Sequence, residues 1–420
     1  MSVPSGLAPF RFDKITSQTA PMNPPLDRDL FDLPPDLVWA MHCAEGPVPR
    51  PAVQAARDFL EVELRPWESS PDDWLKPAQS LREEAARLFG AQAEDFTLTA
   101  STSDGLTRVA QSYPWQKGDE VLAPLGEFPS NAWPWKALAA RGVNWREVPL
   151  WDGHRAGRAA LDSAPPAARL AAEQMLLDAV GPHTRILTVS WVRFQDGLRL
   201  DLERLAAGCG ERGVDLVVDG IQGAGTLPIK LGGLAAFCTG VHKGLLAPQG
   251  VGMLWTNPEF RARLTPMGSW LSVEQGADFS RSATDFDRPW LRDGRKLEQG
   301  GPGGLLLSAA AASLAVLSRA TTARVARHVD ALQSALLERL KCSRSWGEEA
   351  RRLEALRRED RLGPILSLHH RGQGPAALEA VRSAGQSRRI FTSIREGYLR
   401  VALHGWHDEQ DVARLADWLA

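Results

Sequence analysis

Residues 186–219 read ILTVSWVRFQDGLRLDLERLAAGCGERGVDLVVD, and this stretch decides the fold class. Two short runs rich in β-branched residues, Ile186 to Val189 and Val214 to Val218, flank a helical pattern from about Asp201 to Arg212. Neighbouring parallel strands need a crossover connection rather than a hairpin, and a helix of this length supplies one, so the unit reads as βαβ. Short apolar runs at Phe96 to Thr99, Glu120 to Leu122 and Gly252 to Trp255 alternate with helical patterns, among them 51–64 and 81–89, the second followed by Gly90 where a C-cap belongs. A buried, mostly parallel sheet follows from this alternation.

Working outward, the first forty or so residues are proline-rich and aperiodic, which predicts an extended arm over 1–45. Residues 46–300 carry the α/β pattern. From 301 to 420 the character changes: the periodicity predicts helices over 305–320, 322–340, 375–383 and 409–419 and strands over 365–369 and 398–403, the pattern of a separate, smaller α+β domain. No repeat interrupts this order.

With 49 Lys+Arg against 51 Asp+Glu, a formal charge of −2, the chain has no overall electrostatic reason to bind nucleic acid or an anionic membrane. The most apolar run, Leu305 to Leu317, is too short to span a bilayer, and Met1 to Phe12 has no basic, then apolar, leader pattern. A cytoplasmic protein is expected. Cys43, Cys209, Cys238 and Cys342 are far apart and form no C-x-x-C pair, so no zinc site or disulfide framework is expected and thiols should be reduced. Motifs of zincins, P-loop proteins and α/β-hydrolases are absent from the sequence. Lysine is scarce, and Lys14, Lys76, Lys117, Lys136, Lys230, Lys243, Lys296 and Lys341 are the whole set.

Ligands of open α/β sheets bind beyond the carboxyl ends of the strands. Four such places carry polar residues: Thr99 to Gly105, Glu127 to Asn131, Asp219 to Gln222, and His242 with Lys243. Singly, each has a structural explanation, as a turn-forming aspartate, a helix N-cap, a core aromatic and a surface lysine. Together they supply what pyridoxal phosphate requires. Thr102 and Ser103 at a helix start suit a phosphate, Asp219 suits a protonated ring nitrogen, Phe128 suits the ring face, and Lys243 suits the aldehyde.

These residues also carry a family resemblance. The stretches VVDGIQGAGTLPIKL (217–231) and GVHKGLLAPQGVGM (240–253), with TASTSDGLTRV (99–109), EFPSNAWPW (127–135) and GYLRVAL (397–403), resemble the class V aminotransferase family of pyridoxal-phosphate enzymes, which includes cysteine desulfurases, selenocysteine lyases and isopenicillin N epimerase-like proteins. The resemblance implies a fold-type I enzyme: a large domain with a mostly parallel seven-stranded sheet flanked by helices, the smaller C-terminal domain, and a homodimer with its active site at the subunit interface. It implies that Lys243 is the Schiff-base lysine, His242 lines the phosphate end, Asp219 pairs with the pyridinium, Gln222 bonds the ring oxygen, and Arg400 clamps a substrate carboxylate. His42, on the arm, and Trp191, where desulfurases commonly have asparagine, are further candidates for the substrate pocket.

Departures from the family pattern shape the expected reaction. The loop Ile390 to Gly397 has no cysteine, which weighs against thiol-dependent desulfuration. Gly240 replaces a usual phosphate-binding serine, and Gly301 and Gly303 replace the usual threonine and asparagine of the dimer-crossing loop, which predicts modest cofactor affinity. His404 and His407 flank Trp406 and read as caps more readily than as substrate contacts. The expected activity is at Cα of a small amino acid or amine, aminotransferase or epimerase-like. Desulfurase or selenocysteine-lyase elimination, a non-catalytic cofactor scaffold and a cofactor-free structural dimer are the alternatives.

Overall fold

The structure, a computed structural model, describes residues 23–151, 172–300, 303–370 and 374–420. Its strands, in chain order, are β1 Val38–Trp39, β2 Phe96–Thr99, β3 Glu120–Pro124, β4 Asn144–Val148, β5 Thr184–Ser190, β6 Asp215–Asp219, β7 Ala236–Gly240, β8 Gly252–Thr256, β9 Ile365–His369, β10 Ile390–Phe391, β11 Ser393–Arg395 and β12 Tyr398–Ala402. Seven of them form one sheet in the order β2-β8-β7-β6-β5-β3-β4. β8 runs antiparallel to both its neighbours, and the other pairings are parallel. The expected mostly parallel, seven-stranded sheet is present.

The sheet is covered on both faces, which is why its strands read as continuous apolar runs. Along each strand alternate side chains enter different cores. Leu122, Leu187, Val218, Phe237 and Met253 join the large cluster, whereas Val121, Ile186, Val217, Cys238 and Leu254 join a second cluster with Leu106, Val109 and Trp135. Two strands escaped the sequence reading for this reason. β4 is an edge strand with the sequence NWREV, polar and half-exposed, and β7, AFCTG, is short and mixed in composition. At the other edge, the backbone N–H of Leu98 on β2 donates to Glu298 Oε1 at 2.8 Å, and the buried Arg82 guanidinium pairs with the same carboxylate. An edge so occupied is closed to further strand pairing.

The helix expected over 81–89 is the second half of a longer one, Pro71–Phe89, begun by a capping box between Ser70 and Asp73 and ended by Gly90 in the left-handed conformation. Its first turns escaped notice because Trp74, Pro77 and several charges hide the apolar stripe. The helix Gly304–Ala320 packs along Arg50–Leu64 and Pro71–Phe89 rather than on the C-terminal sheet. That sheet has the antiparallel order β11-β12-β9, accompanied by helices Thr322–Leu340, Gly347–Arg358, Pro375–Ser387 and Glu409–Leu419. The N-terminal segment joins it: β1 pairs in parallel with β10, and Met41 bridges Ala402. Residues 1–22 of the 1–45 arm, and Gly301, lie outside the described residues.

The helix Thr102–Ser112 follows β2 and lies across β7 and β8. Gly105 in its first turns permits the approach. A Cβ there would sit 2.2 Å from Cys238 Sγ, while Cys238 itself donates to Thr102 O at 3.3 Å. Gly105→Ala should therefore destabilise the protein by about 1–3 kcal/mol through overpacking. Denaturant melts check this, and Cys238→Ala in the same chain should restore most of the loss, whereas additive losses would contradict the proposed contact.

Candidate active site

The strand-end segments converge as the sheet rule requires. Together with the C-terminal hairpin they enclose a cavity of about 330 Å³. Ser101, Thr102 and Ser103 bring the N-terminus of an eleven-residue helix to its wall, with Ser101 Oγ accepting the Asp104 N–H at 3.1 Å as the N-cap. The backbone N–H groups of such a terminus favour an anion. Ser103 Oγ donates to Ser130 Oγ at 2.7 Å, whereas the buried Thr102 Oγ1 has no hydrogen-bond partner. An orphaned buried hydroxyl is costly unless a ligand satisfies it. A phosphate fits there.

Phe128 is set by the loop that leaves β3. Glu127 is buried and accepts from the Ser190 N–H at 3.0 Å and from Ser190 Oγ, while Asn131 donates to Glu127 and accepts from Thr188 Oγ1 at 2.6 Å. This network locks the loop to the end of β5. Phe128 then stands edge-on to Phe194, ring centroids 5.0 Å apart, with Lys243 Nζ 5.6 Å from its centroid.

Lys243 follows β7 and is nearly fully buried. Burial lowers its amine to about 8, opposed by Asp219 and Cys43 and assisted by the charges of Arg400 and Arg395. Half the amine is thus neutral, and nucleophilic, near pH 8. Lys296 is also buried, but its Nζ donates to Arg261 O at 2.7 Å and it takes no part in the cavity wall. Two backbone clamps hold the lysine turn: Gly46 N–H donates to His242 O at 2.8 Å, and His404 Nε2 bonds Gly244 O at 2.9 Å. Since His404 Nδ1 accepts from Gly405 N–H at 2.7 Å, Nε2 carries the proton.

His242 lines the wall and is held neutral, its imidazole lowered to about 4 by burial and by Lys243. A Cβ at Gly240 would approach both His242 and Ile221 at 3.2 Å, so the space of the usual serine is taken by those two side chains. Gln222 donates from Nε2 to Cys43 O at 3.0 Å and leaves Oε1 buried without a partner. Asp219 is not a lining residue. It lies behind the wall, with Oδ1 accepting from the Ile221 N–H at 3.0 Å, and burial pushes its carboxyl up to about 7 with Glu127 adding to the rise. A cation on its cavity side would restore the ionised form. The donors and acceptors together fit pyridoxal phosphate.

Arg400 is buried on β12, donating from Nε to Ser393 Oγ at 3.0 Å and from Nη1 to Phe194 O at 2.9 Å, and it lines the cavity. Two expected pocket residues do not. His42 turns away from the cavity into a buried cluster, its ring 5.0 Å from that of His404 and near Trp406, on which His404 stacks at 4.7 Å. Its neighbour Cys43 takes the cavity side, with Sγ 3.6 Å from Ser393 Oγ. Trp191 packs beneath the turn after β6: a Cβ on Gly223 would meet its ring at 2.4 Å, and it touches Phe237. His404 and His407 are buried, both lowered to about 3 chiefly by burial, and neither lines the cavity. Cys43, Phe194 and Arg395 were missed as site residues. Arg395 comes to the cavity through the pairing of its strand with the one that carries Arg400.

The family model Aminotransferase class-V matches residues 73–347. An uncharacterized aminotransferase, YcbU, from Bacillus subtilis (strain 168) is 24% identical over 94% of this chain and 96% of its own length. Isopenicillin N epimerase from Streptomyces clavuligerus is 30% identical over 53% of this chain and 56% of its own. Among solved structures, a C-DES variant with glycine covalently linked to the PLP cofactor superposes with a TM-score of 0.79 at 20% identity over 94% of this chain and 98% of that one. The apo cysteine desulfurase from Thermococcus onnurineus NA1 gives a TM-score of 0.74 at 18% identity over 95% and 98%. These structural likenesses are likenesses of fold.

Asp219 generates a pH-dependent test. Its folded value of about 7 lies above the ordinary 3.8, so between those values the folded state holds more protons and stability falls as pH rises. Asp219→Asn should stabilise the cofactor-stripped protein at pH 8, by a few kcal/mol at most, and leave it nearly unchanged at pH 4. Thermal melts at the two pH values check this. An equal shift at both would contradict a buried, strained carboxylate.

Proposed function

The chain belongs to the class V aminotransferase family of pyridoxal-phosphate enzymes, and from that premise we propose that it acts at Cα of a small amino acid, with Lys243 carrying the cofactor. One observation carries the reading: a buried amine, lowered to about 8, shares a cavity with an unspent hydroxyl at a helix N-terminus. In this reading Thr102, Ser103 and the helix terminus hold the phosphate. Phe128 covers the ring, Asp219 faces the ring nitrogen, and Gln222 meets the ring oxygen. When bound, pyridoxal phosphate supplies the electron sink that makes a bond at Cα labile.

The chain's own groups do the rest. Arg400, fixed by Ser393 and the Phe194 carbonyl, holds the substrate carboxylate in a bidentate grip and so sets which Cα bond faces the ring. Lys243 Nζ would take up the Cα proton and give it back, and a value near the operating pH suits both transfers. The half-buried, neutral His242 excludes water from the phosphate end. When bound, the cofactor would allow either aminotransferase or epimerase-like chemistry at Cα.

A second reading, C–S cleavage, is favoured by one finding. The loop 390–397 has no cysteine, yet Cys43 brings a thiol into the cavity from the N-terminal segment. We further propose a cytoplasmic homodimer. Its support is the row of exposed aromatics, Trp270, Phe279, Phe286 and Trp290, which a lone chain would leave wet, and the four unpaired cysteines. Among the described residues no single helix is long and apolar enough to cross a membrane.

A panel of L-amino acids, scored separately for keto acid, D-enantiomer and sulfide, tests the reaction. Keto acid or D-enantiomer is expected, without sulfide, and Lys243→Ala should abolish it. Sulfide from cysteine that disappears in Cys43→Ser would overturn the first reading in favour of the second.

A further inference from the structure

The C-terminal hairpin presents two guanidinium groups to the cavity. β11 and β12 are antiparallel with Ser393 opposite Arg400 and Arg395 opposite Tyr398. Directly opposed residues share a face of the sheet, and so do residues two apart on one strand. Ser393, Arg395 and Arg400 therefore lie on one face, and both arginines line the cavity. They stand diagonally across the two strands, offset by one two-residue step of about 7 Å, and share one cavity wall.

The two arginines differ in how they are held. Arg400 is buried and tied by Ser393 and the Phe194 carbonyl. Arg395 is exposed at the mouth and forms no ion pair among the described residues. The charge of Arg395 nevertheless reaches Lys243 and Arg400, working against the protonated form of each. Among the described residues the lining includes Lys243, Arg395 and Arg400 and no carboxylate. In the reading above, Arg400 would be matched by the substrate carboxylate, which leaves Arg395 as a second guanidinium on the same wall with no partner assigned to it.

We infer that Arg395 is a specificity-determining residue that binds a second carboxylate, so that the substrate is an amino acid with an acidic side chain. The inference rests on the assignment of Arg400 to the α-carboxylate. The substrate enters with its α-carboxylate at the buried arginine and its side-chain carboxylate at the mouth. An exposed guanidinium contributes a modest, salt-sensitive gain, and its planar donors favour a carboxylate over a neutral polar group.

Calorimetric titration of the holoenzyme with succinate and glutarate against butyrate and valerate reads this without turnover. The better diacid should bind about ten-fold more tightly than the monoacids at low salt. The preference should shrink with added sodium chloride, fall to about one in Arg395→Leu, and survive in part in Arg395→Lys. In turnover, the ratio of kcat/KM for glutamate or aspartate over norvaline should fall in parallel, through KM rather than kcat. Equal binding of diacid and monoacid by the unmutated protein, or a preference that persists in Arg395→Leu, overturns the inference. Failure of the cofactor assignment is seen separately, as protein that takes up no pyridoxal phosphate; the diacid preference is then read on the cofactor-free chain and decides the role of Arg395 in the same way.

Discussion

Burial of one amine is the constraint on which the site depends. Lys243 stands at the end of an inner strand, enclosed by the N-terminal segment on one side and the C-terminal hairpin on the other, and removal from water lowers it to about 8. An ammonium group in such a place is costly, and the fold accepts the cost because a neutral amine is what carbonyl chemistry uses. The lysine turn is not left to its own preferences. It is clamped at His242 O by Gly46 and at Gly244 O by His404, so both flanking lobes fix the position of a single side chain.

The same enclosure organises the other charges. Asp219 is buried behind the wall and resists ionisation unless a cation faces it. His242 and the cluster of His42, His404 and His407 are kept neutral by burial, so they shape and seal without adding charge. What positive charge remains comes from arginines on the hairpin, where Ser393 and a backbone carbonyl hold Arg400 in one orientation.

Much of this was legible in the sequence, and the gaps have physical causes. β2 and β9 were readable to the residue, and β5, β6 and β8 to within two, because strands buried on both faces are continuous apolar runs. Thr102, Phe128, Gln222 and Lys243, singled out as polar or aromatic residues beyond apolar runs, all line the cavity, and Asp219 ends β6 just behind its wall. β4 and β7 were not, since an edge strand and a short mixed one lack that pattern. The helix Gly347–Arg358 was missed because its charged residues outnumber the apolar ones that face the core. Side-chain direction accounts for the errors at the site. His42 turns into the cluster with His404 and Trp406, and its neighbour Cys43 lines the cavity instead. Trp191 follows β5 directly but turns under Gly223. Arg395 reaches the cavity only because a two-residue turn folds β11 against β12, a tertiary pairing that no local periodicity reveals.

The central claim is that the amine at 243 is the one that bonds the cofactor's aldehyde. Borohydride reduction of protein incubated with pyridoxal phosphate, followed by peptide mass mapping, measures this directly. Label confined to Lys243, with none on Lys296 or on the exposed lysines, is the expected result. Label on another lysine, or no label on a folded protein, would contradict it.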